Sequence, residues 1–211
     1  MNGDLPPGSW PRFHDAARWV GTWLFVPVYR VHVHHRERIP GSGPVVLVAN
    51  HSAFVDGPLL FGLIGRRTVF LVKQEMFDGA LGWALPRIGQ LAVRRGEPDR
   101  RPLTAAVGVL RGGGLVAVFP EGTRGVGDMA AAQHGAAWLA RTSGAVVLPV
   151  VVRGTRRAAG RRLRPRVDVL VGEPLGLPAG GGRAGLAAAT ETVRAALAGM
   201  VRELDTVRSR T

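Results

Sequence analysis

Cysteine is absent from this chain of 211 residues. Its absence excludes disulfides, thiolate metal ligation and a cysteine nucleophile together. Lysine is nearly absent as well: of 28 basic residues, only Lys73 is not arginine. Where the planar guanidinium is used everywhere else, a lone ammonium marks a place where a compact point charge has a use. Acidic residues are scarce, 15 against 28 basic, and leave a formal net charge of +13. That surplus suits an anionic membrane surface or a nucleic acid; a drift of composition toward arginine gives the same surplus with no partner. Long apolar runs are lacking too. The uncharged, aromatic run Trp19 to Tyr29 has 11 residues, about half of the roughly 20 that a spanning helix needs. Aromatic residues are missing from positions 141–170, which hold the whole of the densest basic run, from Arg153 to Arg166. Stacking platforms for single-stranded nucleic acid therefore have no residues there, and nucleic acid is not an expected partner. Met1 to Gly8 shows no basic segment followed by an apolar one, so no secretory signal is expected and a cytosolic address is the default.

What is present is a core. The chain is 46% hydrophobic, enough for one sizeable domain. Apolar runs alternate with helical patterns along most of it. Strands are predicted over Pro44–Asn50, Thr68–Lys73, Gln90–Val93, Leu115–Phe119, Ala145–Val152 and Arg166–Val171. Helices are predicted over Gly57–Gly65, within Glu75–Ile88, over Arg100–Arg111 and Met129–Thr142, and along the C-terminal pattern of Leu186, Val193, Leu197, Val201 and Leu204. Continuous apolar strands separated by helices mean strands buried on both faces, an α/β architecture. Phe13 to Tyr29 precedes this alternation. It is expected either to lie in a membrane interface, with Trp19, Trp23 and Phe25 buried and Arg12, Arg18 and Arg30 toward headgroups, or to pack on the domain as a first helix. We therefore divide the chain into an aromatic, membrane-associated segment, 1–30, and an α/β domain, 31–211.

Two segments carry chemistry. Asn50-His51-Ser52-Ala53-Phe54-Val55-Asp56 follows the first buried strand directly, and sites in α/β sheets form at the carboxyl ends of strands. A carboxylate that accepts one imidazole N–H raises basicity at the other nitrogen, which makes a general base for a hydroxyl proton. Read alone, Asp56 is equally a helix cap before Gly57-Pro58 and His51 a loop histidine. The second segment, Phe119-Pro120-Glu121-Gly122-Thr123-Arg124, ends a later strand. It offers a carboxylate, a hydroxyl, backbone N–H groups and a guanidinium within a few residues. Such a set suits a phosphorylated substrate that carries a hydroxyl.

His-x4-Asp followed by Phe-Pro-Glu-Gly-Thr-Arg resembles the glycerolipid acyltransferase family, and most nearly its lysophosphatidate (1-acylglycerol-3-phosphate) acyltransferases. Two further blocks and a final one agree: Phe70 to Glu75, Gly89 to Arg95, and Val147-Leu148-Pro149-Val150. The resemblance implies a single α/β domain with a mostly parallel mixed sheet flanked by helices. It implies an O-acyltransferase that uses no cofactor and no metal, with acyl-CoA or an acyl-carrier protein as co-substrate. On it, His51 deprotonates the free hydroxyl of a lysophospholipid, Asp56 holds His51, and Lys73, Arg95 and Arg124 gather the acceptor's phosphate. Glu121 falls on the acceptor side. The N–H groups around Gly122 and Thr123 are available to an anion, either phosphate or oxyanion. The implied place is the cytoplasmic face of a membrane, peripheral or monotopic, on an anionic surface. Two departures concern the acceptor. The family's Phe-Lys-x-Gly element is Ala132-Gln133-His134-Gly135 here, and Arg94 stands where Asp is usual. Alternatives are therefore another lyso-lipid or polar hydroxyl acceptor, or an inactive, basic lipid-binding protein on the same fold.

Overall fold

The computed structural model describes residues 3–25, 27–94, 100–119, 129–156, 164–178 and 182–209. Seven strands form its sheet: β1 (Arg30–His34), β2 (Val45–Ala49), β3 (Thr68–Lys73), β4 (Leu91–Val93), β5 (Leu115–Val118), β6 (Val146–Arg153) and β7 (Arg166–Val171). Their spatial order is β1-β7-β6-β2-β5-β3-β4. Strands β2 to β6 all run one way; β7 turns back antiparallel to β6, and β1 pairs parallel with β7. The mostly parallel mixed sheet is the one expected. The edge strand β1 was not anticipated. Its sequence, Arg-Val-His-Val-His, has neither a continuous apolar run nor a fully buried residue.

Alternate strand residues serve two helical layers. Val45, Leu47 and Ala49 of β2 join Leu115 and Ala117 of β5 on the face covered by α2 (Asp56–Leu63). Helix α1 (Pro11–Phe25) packs in turn on α2. Val46, Val48, Val116 and Val118 face the layer of α4 (Arg101–Arg111), α5 (Met129–Ser143) and α6 (Gly182–Ser209). Every residue of β2 and β5 is buried, as expected of parallel strands covered on both sides. Helix α3 (Gly79–Arg87) precedes the short edge strand β4. The C-terminal turns of α6 are tied to the β6–β7 pair by ions. Arg153 Nε lies 2.8 Å from Asp205, and Arg208 pairs with the fully buried Asp168, which also accepts from His34 at 3.1 Å and Arg166 at 3.0 Å.

The N-terminal segment is joined to the domain by specific contacts. Leu5 is buried in the α4–α6 layer, whereas Ala17 and Tyr29 pack in the α2 layer. Where α1 crosses α2, a side chain on Gly62 would stand 2.8 Å from the Thr22 backbone nitrogen, so only glycine admits this approach. The Thr22 hydroxyl donates to the Gly62 carbonyl at 2.9 Å. Arg67, entering β3, reaches Asp15 at 2.7 Å and Asp4 at 3.4 Å.

β3 shows how those contacts complete the sheet. It pairs with β4 only from Leu71 onward. Its earlier groups are satisfied by side chains: Gln90 Oε1 accepts from Phe70 N at 2.8 Å, and His14 Nε2 accepts from Thr68 N at 3.3 Å. His14 Nδ1 donates to the Ile88 carbonyl at 2.6 Å. The ring is fully buried. Desolvation, outweighing the Ile88 carbonyl and nearby Asp15, holds its pKa below the ordinary 6.5. The folded chain therefore resists a proton that the unfolded chain takes up at about 6.5. The stability contributed by neutral His14 is complete above that pH and is lost as pH falls through the lower folded value. We expect the thermal midpoint to begin falling below about pH 6.5. In His14→Gln, which keeps a donor and an acceptor but does not titrate, that slope should be smaller; differential scanning fluorimetry across pH 5 to 7.5 tests it, and an unchanged slope would exclude His14 as its source.

Candidate active site

The carboxyl end of β2 is locked to its neighbour by Asn50. This buried residue donates from Nδ2 to the Val152 carbonyl at 3.0 Å and accepts on Oδ1 from Val152 N at 2.7 Å. The side-chain amide thus carries the β2–β6 ladder one step past the strand. Its second Nδ2 hydrogen goes to Ser52 Oγ at 3.2 Å. His51 leaves the sheet from this anchored point.

The chain turns over Ser52 to Val55 and enters α2 at Asp56. Asp56 does not cap the helix from the N-cap position; Val55 occupies that place. The carboxylate points back instead, and its Oδ2 accepts from the amides of Ser52 at 2.6 Å and Ala53 at 2.8 Å. The same Oδ2 stands 3.4 Å from His51 Nδ1, a close contact without an aligned hydrogen bond. The pair predicted from spacing is therefore brought together. The Asp56 side chain is fully buried and that of His51 is 21% exposed. Burial pushes the Asp56 carboxyl up, but the polar groups around it, the facing His51 imidazole first and the Ala53 amide next, outweigh burial and hold it below the ordinary carboxylate value. An anion is thus maintained beside the imidazole. With Nδ1 turned to that anion, Nε2 is the nitrogen free to accept a proton.

Phe119 joins this pair to the second segment. Strands β2 and β5 run side by side in parallel, with Val48 opposite Val118, so both segments leave the same end of the sheet. The Phe119 ring stacks on the His51 ring, with centroids 4.5 Å apart and planes 28° apart. Phe70 of β3 backs Phe119 at 5.7 Å. Two aromatic rings thus hold one face of the imidazole. The sequence offered Phe119 only as the end of an apolar strand; its place as a support for His51 follows from strand order, which spacing along one chain does not reveal. Asn50 was likewise missed, because its partner is 102 residues away.

Lys73, at the carboxyl end of β3, is exposed at this same end of the sheet. Glu121, Gly122, Thr123 and Arg124 lie outside the described residues, as does Arg95. The described parts of their connections are the end of β5 through Phe119 and the end of β4 through Arg94. Of the departures, Gln133 has no described side chain, and His134 is half-buried in α5.

Comparison with known proteins places the chain in a family. A sequence model described as acyltransferase matches residues 30–153. The 1-acyl-sn-glycerol-3-phosphate acyltransferase of Bacillus subtilis is 28% identical over 149 residues, 69% of this chain and 73% of that protein. The lyso-ornithine lipid O-acyltransferase of Pseudomonas aeruginosa is 35% identical over 121 residues, 54% of this chain and 46% of that one. The crystal structure of the 1-acyl-sn-glycerophosphate acyltransferase of Thermotoga maritima superposes with a TM-score of 0.72 at 25% identity, covering 91% of this chain and 79% of that one. With the matched residues spanning the strand that leads to His51 and Asp56 and the strand that ends in Phe119, the chain belongs to the acyltransferase family.

Proposed function

We propose that this protein transfers a fatty acyl group from a thioester, acyl-CoA or acyl-carrier protein, to the free hydroxyl of 1-acylglycerol 3-phosphate, giving phosphatidic acid. The observation that carries the reading is the His51–Asp56 pair at the carboxyl end of β2, stacked against Phe119 at the end of β5. His51 Nε2 takes the proton of the acceptor hydroxyl as its oxygen attacks the thioester carbonyl carbon. A tetrahedral intermediate forms and collapses; the C–S bond breaks, and the thiolate leaves with a proton. The buried Asp56 anion stabilises the imidazolium that exists between the two proton transfers. Lys73, Arg95 and Arg124 hold the acceptor's phosphate, with Glu121 toward its glycerol oxygens. The N–H groups of Gly122 and Thr123 serve an anion.

We place the reaction at an anionic membrane surface on the cytoplasmic side. The support is the outward face of α1. Trp19, Val20, Trp23 and Leu24 are exposed there, beside the half-buried Arg18. Trp10 and Phe13, at the start of α1, form an edge-to-face cluster with Trp83 of α3. Arg87 lies over both Trp10 and Trp83, at 5.0 and 4.5 Å. Exposed aromatic rings with guanidinium groups beside them suit the headgroup region. No described helix is long and apolar enough to cross a bilayer; the contact proposed is peripheral or monotopic.

The test is thiol release from acyl-CoA by purified protein in mixed micelles. Release that depends on lysophosphatidate is the expected result. A second arm offers a lyso-lipid without phosphate, because the lyso-ornithine lipid acyltransferase is among the relatives and the Ala132 to Gly135 and Arg94 departures fall in the acceptor elements. Release with that acceptor alone would move the reading to another lyso-lipid. Absence of release with either acceptor, from both CoA and carrier-protein donors, would leave an inactive lipid-binding member of the family.

A further inference from the structure

The Asp56 carboxylate has one oxygen that the pair does not use. Oδ2 serves the two loop amides and His51, whereas Oδ1 is buried and has no hydrogen-bond partner among the described residues. Five buried side-chain polar atoms are without such partners among those residues, and three are His51 Nδ1, Asp56 Oδ1 and Thr155 Oγ1. Thr155 follows β6 by two residues and is 3% exposed. Its strand is the parallel neighbour of β2, and Asn50 clips the two together at Val152, three residues before Thr155. A buried hydroxyl that needs an acceptor therefore comes to the same end of the sheet as a buried carboxylate oxygen that needs a donor. Leaving either unpaired is unfavourable, because each has given up its water.

We infer that Thr155 is a positioning residue, whose hydroxyl donates to Asp56 Oδ1 and so keeps Oδ2 turned to His51. The carboxylate is then fixed from both sides, by the loop amides on one oxygen and by the end of β6 on the other. Thr155 also stands among the groups that hold the Asp56 carboxyl below its ordinary range. As a contribution to turnover, the inference rests on the acyl-transfer reading above; as a pairing, it does not.

The test is a cycle of Thr155→Val, Thr155→Ser, Asp56→Asn and the double variant Thr155→Val/Asp56→Asn. Valine keeps the shape and removes the donor; serine keeps the donor. In the thiol-release assay, Thr155→Val is expected to lower kcat about tenfold, the size of one lost charge-assisted hydrogen bond, with KM for both substrates unchanged. Thr155→Ser should stay within about twofold, and valine in the Asp56→Asn background should cost less than about twofold further. Full activity in Thr155→Val, or an equal loss in both backgrounds, would overturn the role. Thermal midpoints of the same four proteins test the pairing without turnover. Valine should lower the midpoint by about 3 °C in the parent and by clearly less in the Asp56→Asn background, and equal decreases would overturn the pairing. A parent protein without turnover would defeat the acyl-transfer reading and leave the pairing to be decided by the midpoints.

Discussion

His51→Ala is expected to lower acceptor-dependent thiol release by about 10³-fold while the protein melts within a few degrees of its parent. The loss is large because the proposed reaction has no covalent intermediate, so no other group takes over the hydroxyl proton. The fold should tolerate the change because the ring is no part of the core. Its side chain is 21% exposed, and one of its faces rests on Phe119. The Asp56 oxygen it faces keeps the Ser52 and Ala53 amides, so the variant does not strand a buried charge. The two readouts, rate and midpoint, separate chemistry from folding. A variant that retains turnover would remove His51 from the mechanism. One that melts far below its parent would show the ring to be structural.

Deleting residues 1–25 should unfold the protein rather than merely free it from membranes. Sequence pattern alone set this segment apart at residue 30 as membrane-associated, yet its residues are shared with both layers. The deletion removes Leu5 from one core cluster and uncovers Phe61 in the other, where His14 packs against it with centroids 4.8 Å apart. Each large apolar side chain left exposed costs about 2 kcal/mol. The deletion also strands the Thr68 N–H that His14 accepts and the Arg67 guanidinium that Asp4 and Asp15 pair. A total stability of about 5–15 kcal/mol does not absorb several such losses. Trp19→Ser/Trp23→Ser is the informative contrast. Both rings are exposed, at 65% and 58%, so this variant should fold normally and lose sedimentation with anionic vesicles. A folded deletion variant would contradict the shared core, and undiminished vesicle binding by the double variant would move the membrane contact to Trp83 and Leu81 of α3.

The same contrast shows what was legible in the sequence. β2 and β5 lie where their apolar runs put them, because a strand buried on both faces announces itself without help from its neighbours. β1 does not, since an edge strand with His32 and His34 needs β7 beside it before it reads as a strand at all. In the N-terminal segment the visible signal was the tryptophans, which face outward. Among the residues that join the segment to the domain are His14, Thr22 and the Gly62 it meets, and none of these stands out in a hydropathy pattern. At the site, His51 and Asp56 are close in sequence and could be paired by spacing. Asn50, Phe119 and Thr155 act across strand order, which becomes known only when the sheet is assembled.

The parallel register of β2 and β5 places a length constraint on the site. Val48 and Val118 stand opposite one another, and each strand then delivers its aromatic ring, His51 or Phe119, after a fixed number of residues. One residue inserted in either strand would displace its ring by about 3.3 Å and turn that strand's valines to the wrong layer. The turn that follows β2 is held as well, by the Asp56 carboxylate on the Ser52 and Ala53 amides. Among proteins built this way, the two strands that meet at the histidine, and the turn that joins it to Asp56, should therefore keep their length.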